Sequence, residues 1–236
     1  MTSTDKLAPA RSFGHVFHYL WLETTADIDR PAYGKAAVSK ATQILASLGA
    51  PKEPLIAMIP LAGIGSFHHL LWLERYADIT EWAAVELAAQ RSKPWMETVC
   101  TLERDQKVEV VESNVLIDDS TDPAPRCDAD QLTVDWAQFE PTKLDAITRL
   151  PDLIDELASH VRTAGFVDAA VRFLAMTTTS GEHQNRGHLW IESPSPDYAI
   201  ALSDWRHRSV ELADWRRRFQ AIARVVRDHS LLTRCS

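Results

Sequence analysis

Short apolar runs that contain a tryptophan and end in a glutamate recur along the chain. They read HYLWLE at residues 18–23, HLLWLE at 69–74 and HLWIE at 188–192, and a weaker copy around Trp136 ends at Glu140. Runs of this kind, rich in aromatic and branched residues and bounded by turn-forming residues, predict buried β-strands. Because versions of one strand recur, the pattern predicts a duplicated sheet.

Between these strands, apolar residues recur at the spacing typical of amphipathic helices. One such stripe runs from Ala36 to Leu48 and stops at Gly49, and Asp78 precedes another that contains Trp82. The predicted strands cover residues 13–23, 55–61, 67–74, 107–117, 132–139, 167–177, 188–192 and 230–234. The predicted helices start at Pro31, Asp78, Trp95, Leu150, Ser195 or Asp197, and Leu212, and the last of them runs to Val226.

The second half of the chain repeats the order of the first at a nearly constant interval. This interval is 115 residues for Trp21 and Trp136, 118 for Trp72 and Trp190, and 120 for Trp95 and Trp215. We therefore predict an α+β fold with two ferredoxin-like βαββαβ units, at residues 13–117 and 131–235, joined by a linker at 118–130. One such sheet leaves a face bare, so we expect the two antiparallel sheets to pack face to face as a pseudo-symmetric barrel.

Composition excludes several classes of function. The 236 residues carry a net charge of −8, whereas a nucleic-acid surface normally needs a basic stripe. Cys100, Cys127 and Cys235 are an odd number without a CxxC pair, which indicates a reducing compartment such as the cytoplasm. No apolar run approaches the roughly 18 residues of a membrane span, and residues 1–12 lack the apolar core of a signal peptide. We expect a cytoplasmic protein that binds neither nucleic acid nor membrane.

The chain resembles dimeric α+β barrel proteins of the antibiotic biosynthesis monooxygenase and NIPSNAP-like type. The likeness is carried by His69–Glu74, by the helix that contains Trp82, by Lys93-Pro-Trp95 and by the strand at 108–117. Each half of the chain carries this resemblance, so that together the two halves account for most of the sequence. Among tandem members, the chain resembles most the oxygenases that open the B ring of angucycline polyketides. Such motifs are specific for the fold, and a fold alone does not fix a function.

The resemblance implies an oxygenase that tailors a polycyclic aromatic polyketide in antibiotic biosynthesis, by hydroxylation, quinone formation or oxidative ring opening. It implies reduced flavin, FADH2 or FMNH2, as a diffusible co-substrate used with O2 and supplied by a flavin reductase. Some relatives need no cofactor, because the substrate anion itself reduces oxygen. A homodimer would use outer helices or edge strands. Two alternatives stay open: a non-catalytic NIPSNAP-like binding or stress-response domain, and a polyketide cyclase.

Histidines on the predicted strands are the candidate bases, because imidazole titrates near neutral pH and can take the proton of a phenol. His18 and His69 each stand three residues before a strand tryptophan. In the ferredoxin-like order their strands are neighbours, so we expect the two rings close together on one face. His188, two residues before Trp190, is the next candidate. The alternative is a buried structural histidine bonded to a backbone carbonyl.

Aromatic side chains on the same elements are candidates for binding a flat ligand, because ring stacking adds to the burial of apolar area. With His188, the predicted substrate contacts are Tyr19, Trp72, Trp82, Trp95 and Trp190. Eight tryptophans is a high number for this length, although repeated tryptophans can equally belong to the core. Glu23, Glu74 and Glu192 end three strands at matching positions, where they could orient a histidine or stay solvated.

No metal site is predicted. His68 and His69 are adjacent, so they point to opposite faces of a strand and cannot share one ion. No carboxylate stands at ligand spacing near His183, Asn185 and His188. Haem is a further option, because barrels of this size include haem enzymes and one axial histidine would suffice, but no motif for haem is found.

Overall fold

The computed structural model describes residues 15–50, 55–62, 69–104, 108–120, 131–143, 146–176 and 186–235. In these residues, eight strands and six helices follow the order βαββααβ twice. The strands are β1 (Val16–Thr24), β2 (Leu55–Ala62), β3 (His69–Tyr76), β4 (Val108–Asp118), β5 (Thr133–Pro141), β6 (Ala170–Met176), β7 (Gly187–Ser193) and β8 (Ala223–Arg234). The helices are α1 (Arg30–Ser47), α2 (Ile79–Arg91), α3 (Lys93–Arg104), α4 (Ala146–Thr163), α5 (Pro196–Arg208) and α6 (Ala213–Ile222).

The strands form a closed antiparallel barrel in the order β1-β3-β2-β8-β5-β7-β6-β4. The first half of the chain contributes β4-β1-β3-β2 and the second contributes β8-β5-β7-β6, so the two halves have the same strand order. They meet at two seams, where β2 pairs with β8 and β4 pairs with β6. The predicted α+β class and closed barrel are confirmed. The domain boundaries stay a prediction, because residues 13, 14 and 121–130 lie outside the described residues.

The end of the chain departs most from the sequence prediction. Helix α6 ends at Ile222 and β8 starts at Ala223, whereas the predicted helix continues to Val226 and the predicted strand starts at Ser230. Ala223 and Val225 pair with Pro141 and Phe139 of β5. β-branched residues fit a sheet better than a helix, and a pairing partner in the barrel overrides the helical spacing that Phe219 and Ile222 begin.

Local hydrogen bonds fix the start of the helix that covers the first half of the sheet. Asp78 accepts hydrogen bonds from the backbone N–H groups of Thr80 and Glu81, both at 2.8 Å, and Glu81 accepts one from Ala77 N–H at 2.6 Å. This reciprocal cap satisfies donors that the first helical turn leaves free. It starts α2 directly after β3, so Trp82 lies over the sheet.

Side chains on each strand alternate between the barrel interior and the outer face beneath the helices. The interior cluster draws members from the sheet all around the barrel: Phe17, Tyr19, Trp21, Ile56, Met58, Leu71, Leu73, Leu116, Leu132, Val134, Trp136, Leu174, Trp190 and Leu232. On the outer face, the second half packs as one cluster of eighteen buried residues. Among the described side chains of the first half there are two clusters, of six and five buried residues, and Trp95 packs against both.

Strand pairing corrects the internal alignment of the repeat. Trp21 pairs with Leu71, whereas its counterpart Trp136 pairs with Trp190. Trp190 therefore corresponds to Leu71 and lies in the interior, while Trp72 lies on the outer face. The predicted match of Trp72 with Trp190 is wrong by one residue, and a shift of one residue along a strand exchanges its two faces.

Candidate active site

The eight residues predicted from the sequence divide into two groups on opposite faces of the sheet. His18, Trp72, Trp82 and Trp95 belong to the outer face, between the strands of the first half and helices α2 and α3. Tyr19, His69, His188 and Trp190 belong to the barrel interior. The structure therefore brings the predicted residues together as two sites rather than one.

The expected proximity of His18 and His69 is wrong. Strands β1 and β3 are neighbours, as predicted, but they are antiparallel, and His18 pairs with Glu74 while His69 pairs with Glu23. The two histidines thus lie at opposite ends of the strand pair. They also point to opposite faces, because His69 contacts Trp21 in the interior at 5.0 Å between ring centroids. The two rings cannot act on one substrate as a coupled pair.

His18 forms a hydrogen-bonded dyad with Glu74 on the outer face. Its Nδ1 lies 3.0 Å from Glu74 Oε2, and Glu74 also accepts hydrogen bonds from Trp72 Nε1 at 3.0 Å and from the Tyr76 hydroxyl at 2.8 Å. The carboxylate is 4% exposed. Three donors around one buried carboxylate hold it in a single orientation, and with it the ring of His18.

The dyad perturbs the titration of both partners. Burial acts to lower the pKa of His18, but the hydrogen bond and the negative charge of Glu74 outweigh it and raise that pKa above its ordinary 6.5. Burial acts to raise the pKa of Glu74, yet the hydrogen bond and charge of His18, aided by Trp72 and Tyr76, lower it below its ordinary 4.5. His18 is therefore a stronger base than a free imidazole, and Glu74 stays ionised beside it.

The dyad lies at the boundary between the two apolar clusters of the outer face. One cluster contains Trp72, the other contains Tyr76, and Trp95 of α3 packs against both. Trp82 of α2 meets His18 edge-on, at 6.2 Å between ring centroids and 68° between planes. Of the three tryptophans predicted for this face, Trp82 contacts the imidazole, Trp72 holds Glu74, and Trp95 packs against both clusters.

The other nitrogen of His18 faces the open side of this layer. His18 Nε2 lies 3.3 Å from the hydroxyl of Ser113, an exposed residue of β4. The side chain of His18 is 14% exposed, and Val110, which pairs with the outward-facing Leu22, is 53% exposed. A molecule from solvent can therefore approach Nε2 along β4, while Nδ1 stays held by Glu74. Sequence reasoning missed Ser113, because nothing in the run Glu112-Ser-Asn114 distinguishes it.

The matching positions in the second half do not hold a His–Glu dyad. In the corrected alignment, Thr133 corresponds to His18 and Ser193 corresponds to Glu74, and these two residues also form a pair across the strands. The predicted match of Glu74 with Glu192 is wrong, because Glu192 faces the interior. The matching pair in the interior is instead His69 and His188, which pair with Glu23 and Gln138.

The interior group forms a buried polar network among aromatic rings. The Tyr19 hydroxyl donates to Glu112 Oε1 at 2.5 Å and accepts from Asn114 Nδ2 at 2.7 Å. Trp136 Nε1 donates to His188 Nδ1 at 2.9 Å, and the two rings stack with 5.8 Å between centroids. Tyr19, Trp136 and His188 are at most 2% exposed, so these groups lie within the packed interior.

A second buried network in the interior was not predicted. Arg172 NH1 lies 2.8 Å from Asp118 Oδ2, and Arg172 Nε lies 3.4 Å from Glu192 Oε1, which also accepts from Trp190 Nε1 at 3.1 Å. The side chains of Arg172, Asp118 and Glu192 are at most 5% exposed. The only signal in the sequence was an arginine inside the otherwise apolar strand Ala170–Met176. Glu192, expected at a solvated strand end, is instead part of the interior.

The surroundings of the dyad decide which cofactors the site fits. Glu86 adds negative charge near His18, and Glu81 and Glu86 do so near Tyr76. A flavin phosphate would therefore be repelled, so these residues do not fit a tightly held flavin. Haem fits no better in the interior, because His188 is fully buried and stacked on Trp136. In the described residues no group of three or more His, Cys, Asp or Glu could hold a metal ion, and residues 68, 183 and 185 lie outside them. None of the described helices is long and apolar enough to cross a membrane.

Comparison with known proteins shows the fold. No protein-family model and no curated protein sequence matches the chain. Among solved structures, it is similar to a protein provisionally named a monooxygenase from Lactobacillus acidophilus (TM-score 0.59, 11% identity, covering 94% of this chain and 95% of that one). It is also similar to an anthrone oxidase-like protein (TM-score 0.57, 11% identity, covering 94% of this chain and 91% of that one). A mutant chlorite dismutase from Candidatus Nitrospira defluvii is a further neighbour (TM-score 0.52, 9% identity, covering 94% of this chain and 92% of that one). These neighbours cover nearly the whole chain, and at such low identity they show a shared architecture.

Proposed function

We propose that the protein is an oxidoreductase that oxidises a flat, polycyclic phenol with molecular oxygen at the His18–Glu74 dyad. The observation that carries the proposal is the geometry of His18. Its Nδ1 is held by a buried carboxylate, and its Nε2 faces the exposed Ser113 of β4, with the ring of Trp82 edge-on to the imidazole. Two of the structural neighbours are named for related chemistry, monooxygenase and anthrone oxidase-like protein, and this supports an oxidative reaction.

In the proposed reaction, His18 Nε2 takes a proton from the substrate. A phenol and an imidazole have pKa values close enough for transfer, and the raised pKa of His18 narrows the difference. Loss of the proton raises the electron density of the ring, which can then reduce O2. For an anthrone-type substrate the balance is substrate plus O2 giving quinone plus water, so no further electron donor is needed. Hydroxylation instead needs two electrons from an external reductant.

Trp82 would bind an oxygen atom of the substrate. Its indole Nε1–H is buried and has no hydrogen-bond acceptor among the described residues, and a buried donor without a partner is costly. A substrate carbonyl beside the phenol would satisfy this donor once it displaces the side chains that cover the nitrogen. The ring of Trp95, which is partly exposed, would provide a flat apolar wall that favours a polycyclic ligand, and the buried Trp72 would support the site through its hydrogen bond to Glu74.

Reduced flavin, FADH2 or FMNH2, is proposed only as a diffusible co-substrate. Delivered by a flavin reductase, it would supply the electron pair that a hydroxylation or a ring opening requires. The acidic side chains of α2 argue for a route in which the phosphate of the flavin stays in solvent. Within the same proposal, the substrate is an aromatic polyketide of an antibiotic pathway, the angucyclines among them, and the two halves of the barrel are tandem ferredoxin-like units.

The test is oxygen consumption by the purified full chain with a hydroxylated anthrone, with and without reduced flavin. We expect uptake of oxygen together with quinone absorbance, above the rate of spontaneous oxidation. Replacing His18 by alanine should lower the rate about 10²–10⁴-fold. The matched control is His207→Ala, because His207 is an exposed histidine on α5, in the other half of the chain.

Three results would contradict the proposal in different ways. Equal rates in wild type and His18→Ala would show that His18 is not the general base. Product formation without oxygen uptake would instead indicate a cyclase, which needs the same base but no oxidant. Saturable binding of aromatic ligands without turnover, with or without flavin, would indicate a non-catalytic binding domain.

A further inference from the structure

We propose a second activity for the same surface: Ser113, His18 and Glu74 form a nucleophile, its base and the acid that orients the base, and they cleave esters of flat aromatic groups. The proposal rests on the dyad assigned above, but not on its oxygen chemistry. It arises from Ser113, which the oxidation does not use.

The three side chains form one chain of hydrogen bonds. Ser113 Oγ lies 3.3 Å from His18 Nε2, and His18 Nδ1 lies 3.0 Å from Glu74 Oε2. Because the carboxylate keeps a proton on Nδ1, Nε2 of the neutral ring presents its lone pair to the serine hydroxyl. The same sequence of groups activates serine nucleophiles on unrelated folds, where it is recognised by geometry rather than by position in the chain.

The placement of Ser113 suits attack on a molecule from solvent. Ser113 is exposed on the outer face of β4, whereas Glu74 is buried. A nucleophile needs access, and the acid that orients the base needs exclusion from water. The strand pairing of Leu20 with Ser113 and of His18 with Val115 fixes both side chains on one face, one diagonal step apart. Rigid strands, rather than a loop, therefore hold the nucleophile and the base.

Trp82 supplies a donor for the developing oxyanion. Its Nε1–H is buried without an acceptor in the described part of the chain, and its ring meets the edge of His18. This donor is covered in the resting protein, so it would bind the carbonyl oxygen, as that oxygen gains negative charge, once the substrate has displaced the side chains that cover it. Since Glu81 and Glu86 make the surroundings acidic, the best substrates are neutral aromatic esters rather than phosphate esters.

The reaction balances without any co-reactant except water. Ser113 Oγ attacks the acyl carbon, and its proton passes to His18 Nε2. The bond from the acyl carbon to the alcohol oxygen breaks, and the leaving alcohol takes the proton from His18. Water then attacks the acyl-serine through the same base, which releases the acid and returns the proton to Ser113.

The test is labelling of the full chain with a fluorophosphonate, the general probe for activated serines, followed by intact mass and peptide mapping. We expect one adduct per chain, on Ser113. Ser113→Ala should abolish the adduct, and His18→Ala should slow labelling about 10²–10⁴-fold. Ser203→Ala, a half-buried serine on α5, is the matched control and should label like wild type. A naphthyl acetate assay should show the same order of rates.

Two results would overturn the proposal. One is absence of any adduct when a known serine esterase is fully labelled under the same conditions. The other is an adduct that persists in Ser113→Ala. Circular dichroism of each variant shows whether it is folded, and the exposed position of Ser113 makes its alanine variant the least perturbing. Labelling needs neither oxygen nor a phenol, so a failed oxidation assay leaves this test intact, and absent labelling leaves the oxidation assay intact.

Discussion

Replacing Glu74 by glutamine separates the role of the dyad in catalysis from its role in packing. The amide has the shape of the carboxylate, but only one of its two terminal atoms can accept a hydrogen bond. Glu74 Oε1 accepts from Trp72, and Oε2 accepts from both His18 Nδ1 and Tyr76. If the glutamine oxygen keeps Trp72, its NH2 group faces His18 Nδ1. That nitrogen must then accept, and the proton of the neutral ring moves to Nε2.

The wrong tautomer removes the base from the open side of the site. In a Ser-His-Asp triad the corresponding change lowers turnover by about 10⁴, and loss of a general base costs about 10²–10⁴-fold. We expect a fall in kcat within this range, with a smaller change in KM. The variant also loses charge-assisted hydrogen bonds, each of which contributes about 1.5–3 kcal/mol. We therefore expect its free energy of unfolding to fall by about 3 kcal/mol.

The chain provides a matched control in Glu192→Gln. Glu192 is also buried and also accepts from the indole of the tryptophan two residues before it, but it faces the barrel interior. Urea unfolding should show a comparable loss of stability in both variants, whereas oxygen uptake per folded molecule should fall only in Glu74→Gln. If Glu74→Gln keeps full turnover, or if both variants lose turnover equally, the dyad is structural and the catalytic assignment is wrong.

Four further predictions follow from the same contacts. First, because the pKa of His18 is raised above 6.5, wild-type kcat/KM should rise with pH with a midpoint above that value, and Glu74→Gln should move the midpoint down. Second, the stability that His18 gains is present below pH 6.5 and lost as pH rises through its folded pKa, while that of Glu74 is present above pH 4.5 and lost as pH falls through its folded pKa. The difference in unfolding free energy between wild type and Glu74→Gln should therefore be largest between these two values and shrink on both sides. Third, Trp82→Phe keeps a ring but removes the free N–H, so kcat should fall about 10²–10³-fold with an unchanged melting temperature. Fourth, Arg172→Met leaves two carboxylates buried without their cation and should lower the free energy of unfolding by about 3–5 kcal/mol, measured in urea, without changing turnover per folded molecule.

The strands and the barrel could be predicted because their signals are local and repeated. Each apolar run with a tryptophan predicts a strand from its own composition, and recurrence at a nearly constant interval predicts a duplication whether or not the register is right. The start of α2 could also be predicted, since Asp78 and Glu81 form a cap that depends only on residues close to them in the sequence.

The faces of the strands could not be predicted with the same security. The match of Trp72 with Trp190 relies on residue type rather than on the cross-strand partner of each residue. The strand register shows that the alignment is wrong by one residue. Because strand side chains alternate, that single step moves a residue from the helical layer to the interior. The same comparison by residue type led to the expectation that His18 and His69 lie close together on one face. The strand register instead makes His69 the counterpart of His188.

The interior networks were beyond the sequence for a different reason. Arg172, Asp118 and Glu192 come from three strands, two of them from the second half, and only closure of the barrel at the seam of β4 and β6 brings them together. A charge in an apolar strand signals that a partner must exist, because an unpaired buried charge is prohibitively costly. The signal does not say which residue the partner is, since that depends on long-range register.

The asymmetry between the halves is the strongest structural reason to place chemistry on the outer face of the first. Both halves have the same strand order, and the second shows what the outer face becomes without a dyad. There, Thr133 and Ser193 stand at the positions of His18 and Glu74, and the buried ion pair of that face is instead Arg206 NH2 with Asp135 Oδ2, at 2.6 Å. The first half places an ionisable His–Glu pair between two clusters against which Trp95 packs, with the ring of Trp82 edge-on to His18. Burying a charged pair rarely adds stability over a well-packed apolar core. Both halves nevertheless bury a charged pair on the outer face. The first half differs because one member of its pair, His18, can exchange a proton and also contacts the exposed Ser113 of β4, and this placement is explained if His18 acts on a molecule that approaches along β4.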